Sequence, residues 1–221
     1  MEDNIAKLRS QIAEIGALMY ERHLTDSAGG NISARAGNLI CITPRYSGSK
    51  YRWQLRPEQV LVVDLDGKKL DGEGEISREA RVHLKLLAEF PMAGAVVHGH
   101  AQNALVFCCA AHPIPAILED TLKFGQIEVA DFAPAHSPKL ADNICKLMLG
   151  QEERIRKQAA AVLAPWHGVF VLGKDLDAAF DTIERVDTNA RCALLLPLIA
   201  DKSAPSASIA NEALASAMLA F

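Results

Sequence analysis

Two histidines stand one residue apart at the end of an apolar run, Gly94-Ala95-Val96-Val97-His98-Gly99-His100. Such a run reads as a buried strand. Alternate residues of a strand face the same side, so the imidazoles of His98 and His100 point together. A lone histidine in a strand is ordinarily packed or at the surface; a pair at this spacing offers two nitrogen ligands to one divalent cation. His167, between an apolar segment and Gly168, can complete a three-histidine set. Taken alone it fits a structural residue equally well. Three histidines leave coordination positions open, which suits a catalytic zinc, because substrate oxygens must reach the ion.

The helix before this strand carries a carboxylate near its N-terminus, Glu79. With Ser77 read as a helix N-cap, Glu79 either complements the helix dipole or serves as a general base beside a metal. His83 lies one turn further on the same face and reads first as a packed histidine, with a role behind the ligands as the alternative. Gly29-Gly30-Asn31, Ser47-Gly48, Ser77 and Arg78 together offer backbone N–H, hydroxyl and guanidinium donors to a phosphate. Each alone has a plainer role, glycine pairs in turning the chain above all. Arg45, Lys50 and Arg52 read as solvated loop charges. His23, His112 and His136 carry no spacing signal and read as structural or surface residues.

The elements that must position these groups follow from periodicity. Ile5, Leu8, Ile12, Ile15 and Met19 form the stripe of an amphipathic helix over 3–23, stopped before Gly29-Gly30. Ile32–Ala34 and Leu39–Thr43 read as a hairpin across Ala36-Gly37-Asn38. Arg56–Gln59 reads as one helical turn, and Val60–Leu65 as a strand closed by Asp66-Gly67. A helix runs from Ser77 to Phe90, then the strand that ends in His98 and His100, then an alanine-rich helix to Ala111. Residues 114–129 look irregular. Ser137-Pro138 is a cap and first-turn proline for a helix over 138–149. Ala159–Leu163 is a strand, with Val169–Leu172 its continuation or its pair, and Leu176–Leu198 is a long helix.

The chain has 221 residues, half of them hydrophobic, and a net charge of −4. That is enough for one domain with a real core. Basic residues are neither in excess nor in runs, which argues against nucleic acid and membrane-surface partners. The acidic, amphipathic start does not resemble a signal peptide, and no apolar run has transmembrane length. The five cysteines (Cys41, Cys108, Cys109, Cys145, Cys192) are odd in number and sit mostly in apolar segments, as expected of reduced thiols in a cytoplasmic α/β protein. Residues 1–201 are expected to form a single domain. Residues 202–221, rich in small residues, are expected to form a tail, either a short helix or mobile.

In order and spacing, Gly29-Gly30-Asn31-Ile32-Ser33-Ala34-Arg35, Ile42-Thr43-Pro44, Ser77-Arg78-Glu79 with His83, Val96-Val97-His98-Gly99-His100 and His167-Gly168-Val169 resemble the class II aldolase/adducin family across residues 5–198. The resemblance implies a three-layer α/β fold, a central and largely antiparallel sheet flanked by helices. It implies that His98, His100 and His167 hold a divalent metal, usually zinc, with manganese or cobalt as substitutes. Glu79 would be the acid/base, able to approach the metal when no substrate is bound. Gly30, Asn31, Ser47, Gly48, Ser77 and Arg78 would contact substrate and its phosphate. A homotetramer with sites at subunit boundaries is implied as well. Three departures stand out. Arg45 and Tyr46 are inserted between Thr43-Pro44 and Gly48. Arg78 replaces a usual serine. Glu119, followed by Asp120, stands where aldolases carry a tyrosine.

The activity implied is that of a metal-dependent lyase acting on a small ketose phosphate through a metal-stabilised enediolate. Glu79 would carry the proton to and from carbon, and Glu119 or Asp120 the proton on the aldehyde fragment. The acidic pair keeps open a 4-epimerase, a methylthioribulose-phosphate-type dehydratase and a keto-acid-phosphate decarboxylase. A scaffold like the adducin head is the non-enzymatic alternative, with little reason to keep three imidazoles and Glu79 together.

Overall fold

The computed structural model describes residues 2–199, so the expected tail over 202–221 lies outside the described residues. Seven strands form one sheet: β1 (Asn31–Ala36), β2 (Leu39–Ile42), β3 (Leu61–Asp64), β4 (Lys69–Asp71), β5 (Ala95–Gly99), β6 (Ala159–Ala164) and β7 (Gly168–Gly173). Their order is β4-β3-β2-β1-β5-β7-β6, and every neighbouring pair is antiparallel. Helices cover both faces: α1 (Glu2–Glu21), α2 (Ala80–Glu89), α3 (Gln102–Ala110), α4 (Pro138–Met148), α5 (Glu152–Lys157) and α6 (Leu176–Ile199).

The period of two along the strands sorts the core into two layers. One layer takes Ile32, Val97 and Val171 from the sheet and packs them against Ile12, Met19, Ala104 and Ile183 of α1, α3 and α6. The other takes Ile42, Val96 and Phe170 and packs them against Val82, Leu86, Ile144 and Ile155 of α2, α4 and α5. Strands buried on both sides read as continuous apolar runs, which is why β5, β6 and β7 show no alternation in hydrophobicity. The three-layer architecture expected of the family is present.

Of the two alternatives open for Val169–Leu172, pairing is the one observed: β7 pairs with β6 from Ala159↔Gly173 to Ala164↔Gly168. Other elements depart from the sequence reading. α5 carries a single buried apolar residue, Ile155, and β4 is exposed throughout, so neither gives a periodic signal. Within 114–129 lies a 3-10 helix, Glu119–Phe124. The helix expected from Ser77 begins at Ala80, with Glu79 at its N-cap position. Ser77 Oγ accepts from the Glu79 N–H at 3.2 Å, and Glu79 makes no side-chain cap bond of its own. At α4 the expectation holds: Ser137 Oγ accepts from the Leu140 N–H at 3.1 Å, with Pro138 in the first turn.

α3 begins immediately after His100 and has no side-chain cap of its own. Asp187 of α6 supplies one across the layer. Its Oδ1 accepts from the N–H groups of Asn103 and Ala104 at 2.8 and 2.9 Å, and its Oδ2 from the Asn103 amide at 2.6 Å. A buried carboxylate on free helix donors substitutes for the missing cap. Asp187→Ala is expected to lower stability by about 1–3 kcal/mol, read from denaturant unfolding; an unchanged midpoint would show that α3 needs no external cap.

Candidate active site

Antiparallel pairing brings three chain segments to one end of the sheet: the end of β5, the start of β1 and the β6–β7 turn. Asn31 lies directly opposite His98, and His98 opposite Phe170. This register puts Asn31, Ser33 and His98 on the face covered by α2, where Glu79 and His83 enter from the helix start. The His98 ring stacks on Phe170, centroids 4.0 Å apart and nearly parallel.

One ring nitrogen from each of His98, His100 and His167 lies within 4.8 Å of the others. The groups behind the first two rings decide which nitrogen faces inward. His98 Nδ1 is 2.9 Å from the Val169 carbonyl, to which it donates, and His100 Nδ1 is 3.1 Å from Asp26 Oδ2. Their Nε2 atoms are left buried without a hydrogen-bond partner in the chain. Burial holds the His98 pKa well below its ordinary value, so the ring is neutral and its lone pair is available. Inward lone pairs fixed by outward hydrogen bonds are the arrangement a bound cation requires. The donor set fits the divalent metal implied by the family resemblance.

Glu79 crosses the mouth of this cluster and is buried. Its Oε1 is 2.8 Å from His167 Nε2 and its Oε2 is 3.4 Å from His98 Nε2. Asn31 Nδ2 donates to Oε2 at 2.7 Å. Burial raises the carboxyl's pKa, but the hydrogen bonds it accepts from His167 Nε2 and Asn31 Nδ2 outweigh it. They hold the group well below the usual carboxylate range, and Glu79 is ionised.

Behind Asn31 stands His83, fully buried. Its Nε2 contacts Asn31 Oδ1, and its Nδ1 is 2.7 Å from Ser33 Oγ. The ring thereby fixes which way the Asn31 amide faces, and so which atom reaches Glu79. His83 is fully buried, as a packed histidine is, and also stands directly behind Asn31, as the alternative reading expects. The sequence placed it on the same helical side as Glu79 but could not show that Asn31 lies between them.

The glycine turn wraps the second ligand. A Cβ at Gly29 would collide with the His100 ring, and Gly30 has φ +94°. A Cβ at Gly168 would approach the rings of both His98 and His100 at 3.0 Å. Asp26 ties this turn together. Its Oδ1 accepts from the Ala28 and Gly29 N–H groups at 2.7 and 3.0 Å, Oδ2 faces His100, and its carbonyl accepts from Trp53 Nε1 at 2.8 Å. Sequence reasoning missed Asp26, which lies 74 positions from its imidazole.

Beside Glu79 opens a cleft of about 110 Å³, lined by residues 27–31, 44–49, 77–79 and His136. Gly30, Asn31, Ser47, Gly48, Ser77 and Arg78 are therefore brought together with Glu79 at one cleft. The inserted Arg45 forms an ion pair with Glu75 at 2.9 Å and its guanidinium lies over the Tyr46 ring. His136, read as a structural or surface residue, is exposed at this cleft, with Nδ1 3.7 Å from Glu79 Oε1. Glu119 and Asp120 are not gathered with these groups. They sit on the 3-10 helix, where Asp120 accepts from Arg185 Nη1 at 2.7 Å. Among the described residues neither bonds to Glu79 or to the three imidazoles.

The chain matches the model of the class II aldolase and adducin N-terminal domain over residues 10–194. It belongs to the class II aldolase/adducin family. It is 32% identical over 166 residues to a 5-methylthioribulose-1-phosphate/5-deoxyribulose-1-phosphate aldolase of Rhodospirillum rubrum, covering 74% of this chain and 70% of the relative. It is 30% identical over 187 residues to a 3-oxo-tetronate 4-phosphate decarboxylase of Haemophilus influenzae, covering 81% and 83%. A solved L-fuculose 1-phosphate aldolase superposes with a TM-score of 0.78 at 25% identity, covering 96% of each chain. The protein is an enzyme of this family by descent and fold.

Burial pushes the His83 pKa down from 6.5 to about 4, against the pull of Glu79. The folded state therefore resists a proton that the unfolded chain accepts. The stability contributed by neutral His83 is full above pH 6.5 and is lost as pH falls toward 4, a swing of about 3 kcal/mol. Denaturant unfolding between pH 7 and pH 4 is expected to show this loss and to show less of it in His83→Gln. Equal pH profiles for the two proteins would refute the assignment.

Proposed function

We propose that the chain is a metal-dependent lyase of the class II aldolase type, making or breaking a C–C bond in a small ketose phosphate. The convergence of one ring nitrogen from each of His98, His100 and His167, with Glu79 across them, carries this reading. A divalent cation held by the three histidines, zinc by preference of the all-nitrogen donor set and manganese or cobalt as substitutes, would supply Lewis-acid polarisation of substrate oxygens.

The chain's own residues do the rest. Glu79, ionised and anchored through one oxygen by Asn31, takes a proton from substrate carbon in the condensation direction and returns it in cleavage. His83 keeps the Asn31 amide turned toward that carboxylate. The turn at Gly29–Asn31, the Ser47-Gly48 pair, Ser77 and Arg78 hold the phosphate away from the reacting carbon. We assign the aldehyde-side proton to the Glu119–Asp120 carboxylates serving a neighbouring subunit's site. We further propose a homotetramer working in the cytoplasm. Among the described residues, no helix is long and apolar enough to cross a membrane. The exposed aromatic pair Phe132 and Trp166, centroids 5.0 Å apart, flanks the His167 turn and suits burial at a subunit boundary.

Likeness to a keto-acid-phosphate decarboxylase supports a second reading, loss of carbon dioxide from the same chelated substrate position. Product analysis on a panel of ketose and keto-acid phosphates separates the two: an aldehyde with dihydroxyacetone phosphate marks the aldolase, carbon dioxide the decarboxylase, and a C4 epimer an epimerase. An adducin-like scaffold has no use for inward, unpartnered imidazoles.

His100→Ala is expected to lose metal and activity together, by elemental analysis and turnover. Glu79→Gln is expected to retain the metal and lose at least a hundredfold in kcat; full turnover in that variant would remove Glu79 as the proton carrier. Sedimentation analysis is expected to give a species four times the 23.9 kDa chain mass.

A further inference from the structure

His136 is the third residue of a turn from Pro134 to Ser137, closed by the Ser137 N–H donating to the Pro134 carbonyl at 3.2 Å. Its φ of +67° is one that such a turn accommodates and that histidine adopts more readily than most side chains. The side chain is 36% exposed and its Nδ1 is 3.7 Å from Glu79 Oε1, so the ring faces the cleft rather than the core. The imidazole lines the same cleft as Glu79, Arg78 and the Gly29-Gly30-Asn31 turn, on the wall between the acid/base and the anion-binding donors.

We infer that His136 is a substrate-contacting specificity residue, its imidazole hydrogen-bonding an oxygen of the ligand between Glu79 and the phosphate-binding turn. This inference rests on the lyase reading above. The turn sets the ring at the cleft wall. A glycine at this position would keep the turn and open the wall. Position 136 also precedes Ser137, the cap of α4, so the ring is carried on a firmly anchored turn.

The test uses full-length, zinc-loaded protein and phosphoglycolohydroxamate, a mimic carrying both chelating oxygens and a phosphate. Calorimetric binding is compared among wild type, His136→Gly and His136→Asn, alongside zinc affinity and Tm. Asparagine tolerates a left-handed backbone and retains a polar side chain. The expected result is at least tenfold weaker binding of the mimic by His136→Gly, intermediate binding by His136→Asn, unchanged zinc affinity, and a Tm equal to or above wild type. On substrate turnover the loss is expected mainly in KM. Unchanged mimic affinity in His136→Gly overturns the inference, as does a fall in Tm that tracks the binding loss, which would make the residue structural. Failure of the wild-type protein to bind zinc or the mimic would instead overturn the lyase reading itself, and the inference with it.

Discussion

An imidazole can aim a lone pair into a shared space only when its other nitrogen is tied down. In this chain that constraint is met from unrelated places: a β7 carbonyl behind His98 and the Asp26 carboxylate behind His100. Burial keeps the His98 ring neutral, Asp26 holds the His100 ring, and the Nε2 atoms of both have no hydrogen-bond partner in the chain. Everything else about this end of the sheet follows from keeping those donors aimed. The glycine turn closes against one ring, Phe170 supports another, and Gly168 leaves room for both.

The sheet supplies the rigidity that such aiming requires. β5 lies between β1 and β7 and is buried along its length, so His98 projects from the best-supported strand of the fold. Because neighbouring strands run in opposite directions, the end of β5 meets the beginning of β1 and the β6–β7 turn. A slip of one residue in the β1–β5 register would turn His98 away from Asn31 and onto the opposite face. The apolar layers on both sides hold that register; the site inherits its geometry from them.

Much of this was legible in the sequence, and the remainder has physical reasons for being hidden. The His98–His100 spacing reads directly because strand alternation is a local rule. Amphipathic α1 and the capped start of α4 read for the same reason. β4 and α5 are too short and too exposed to carry a period. The start of α2 was placed early because Ser77 takes a backbone N–H as a cap would, but in the turn ahead of the helix. Asp26 and His136 were invisible in a stronger sense. Their places depend on a contact across 74 positions and on which cleft the turn at Pro134–Ser137 faces. The acidic pair at 119–120 looked suggestive in sequence, yet Asp120 is bound to Arg185.

The line of groups from Ser33 through His83 and Asn31 to Glu79 has a consequence for how such a protein can change over time. Each link supplies what its neighbour lacks, a donor against an acceptor, inside a space closed to water. Replacing one member strands the next, so single steps at these positions meet resistance that paired steps would not. Divergence toward new sugars is therefore channelled to the rim of the cleft, where side chains answer to solvent and ligand rather than to one another.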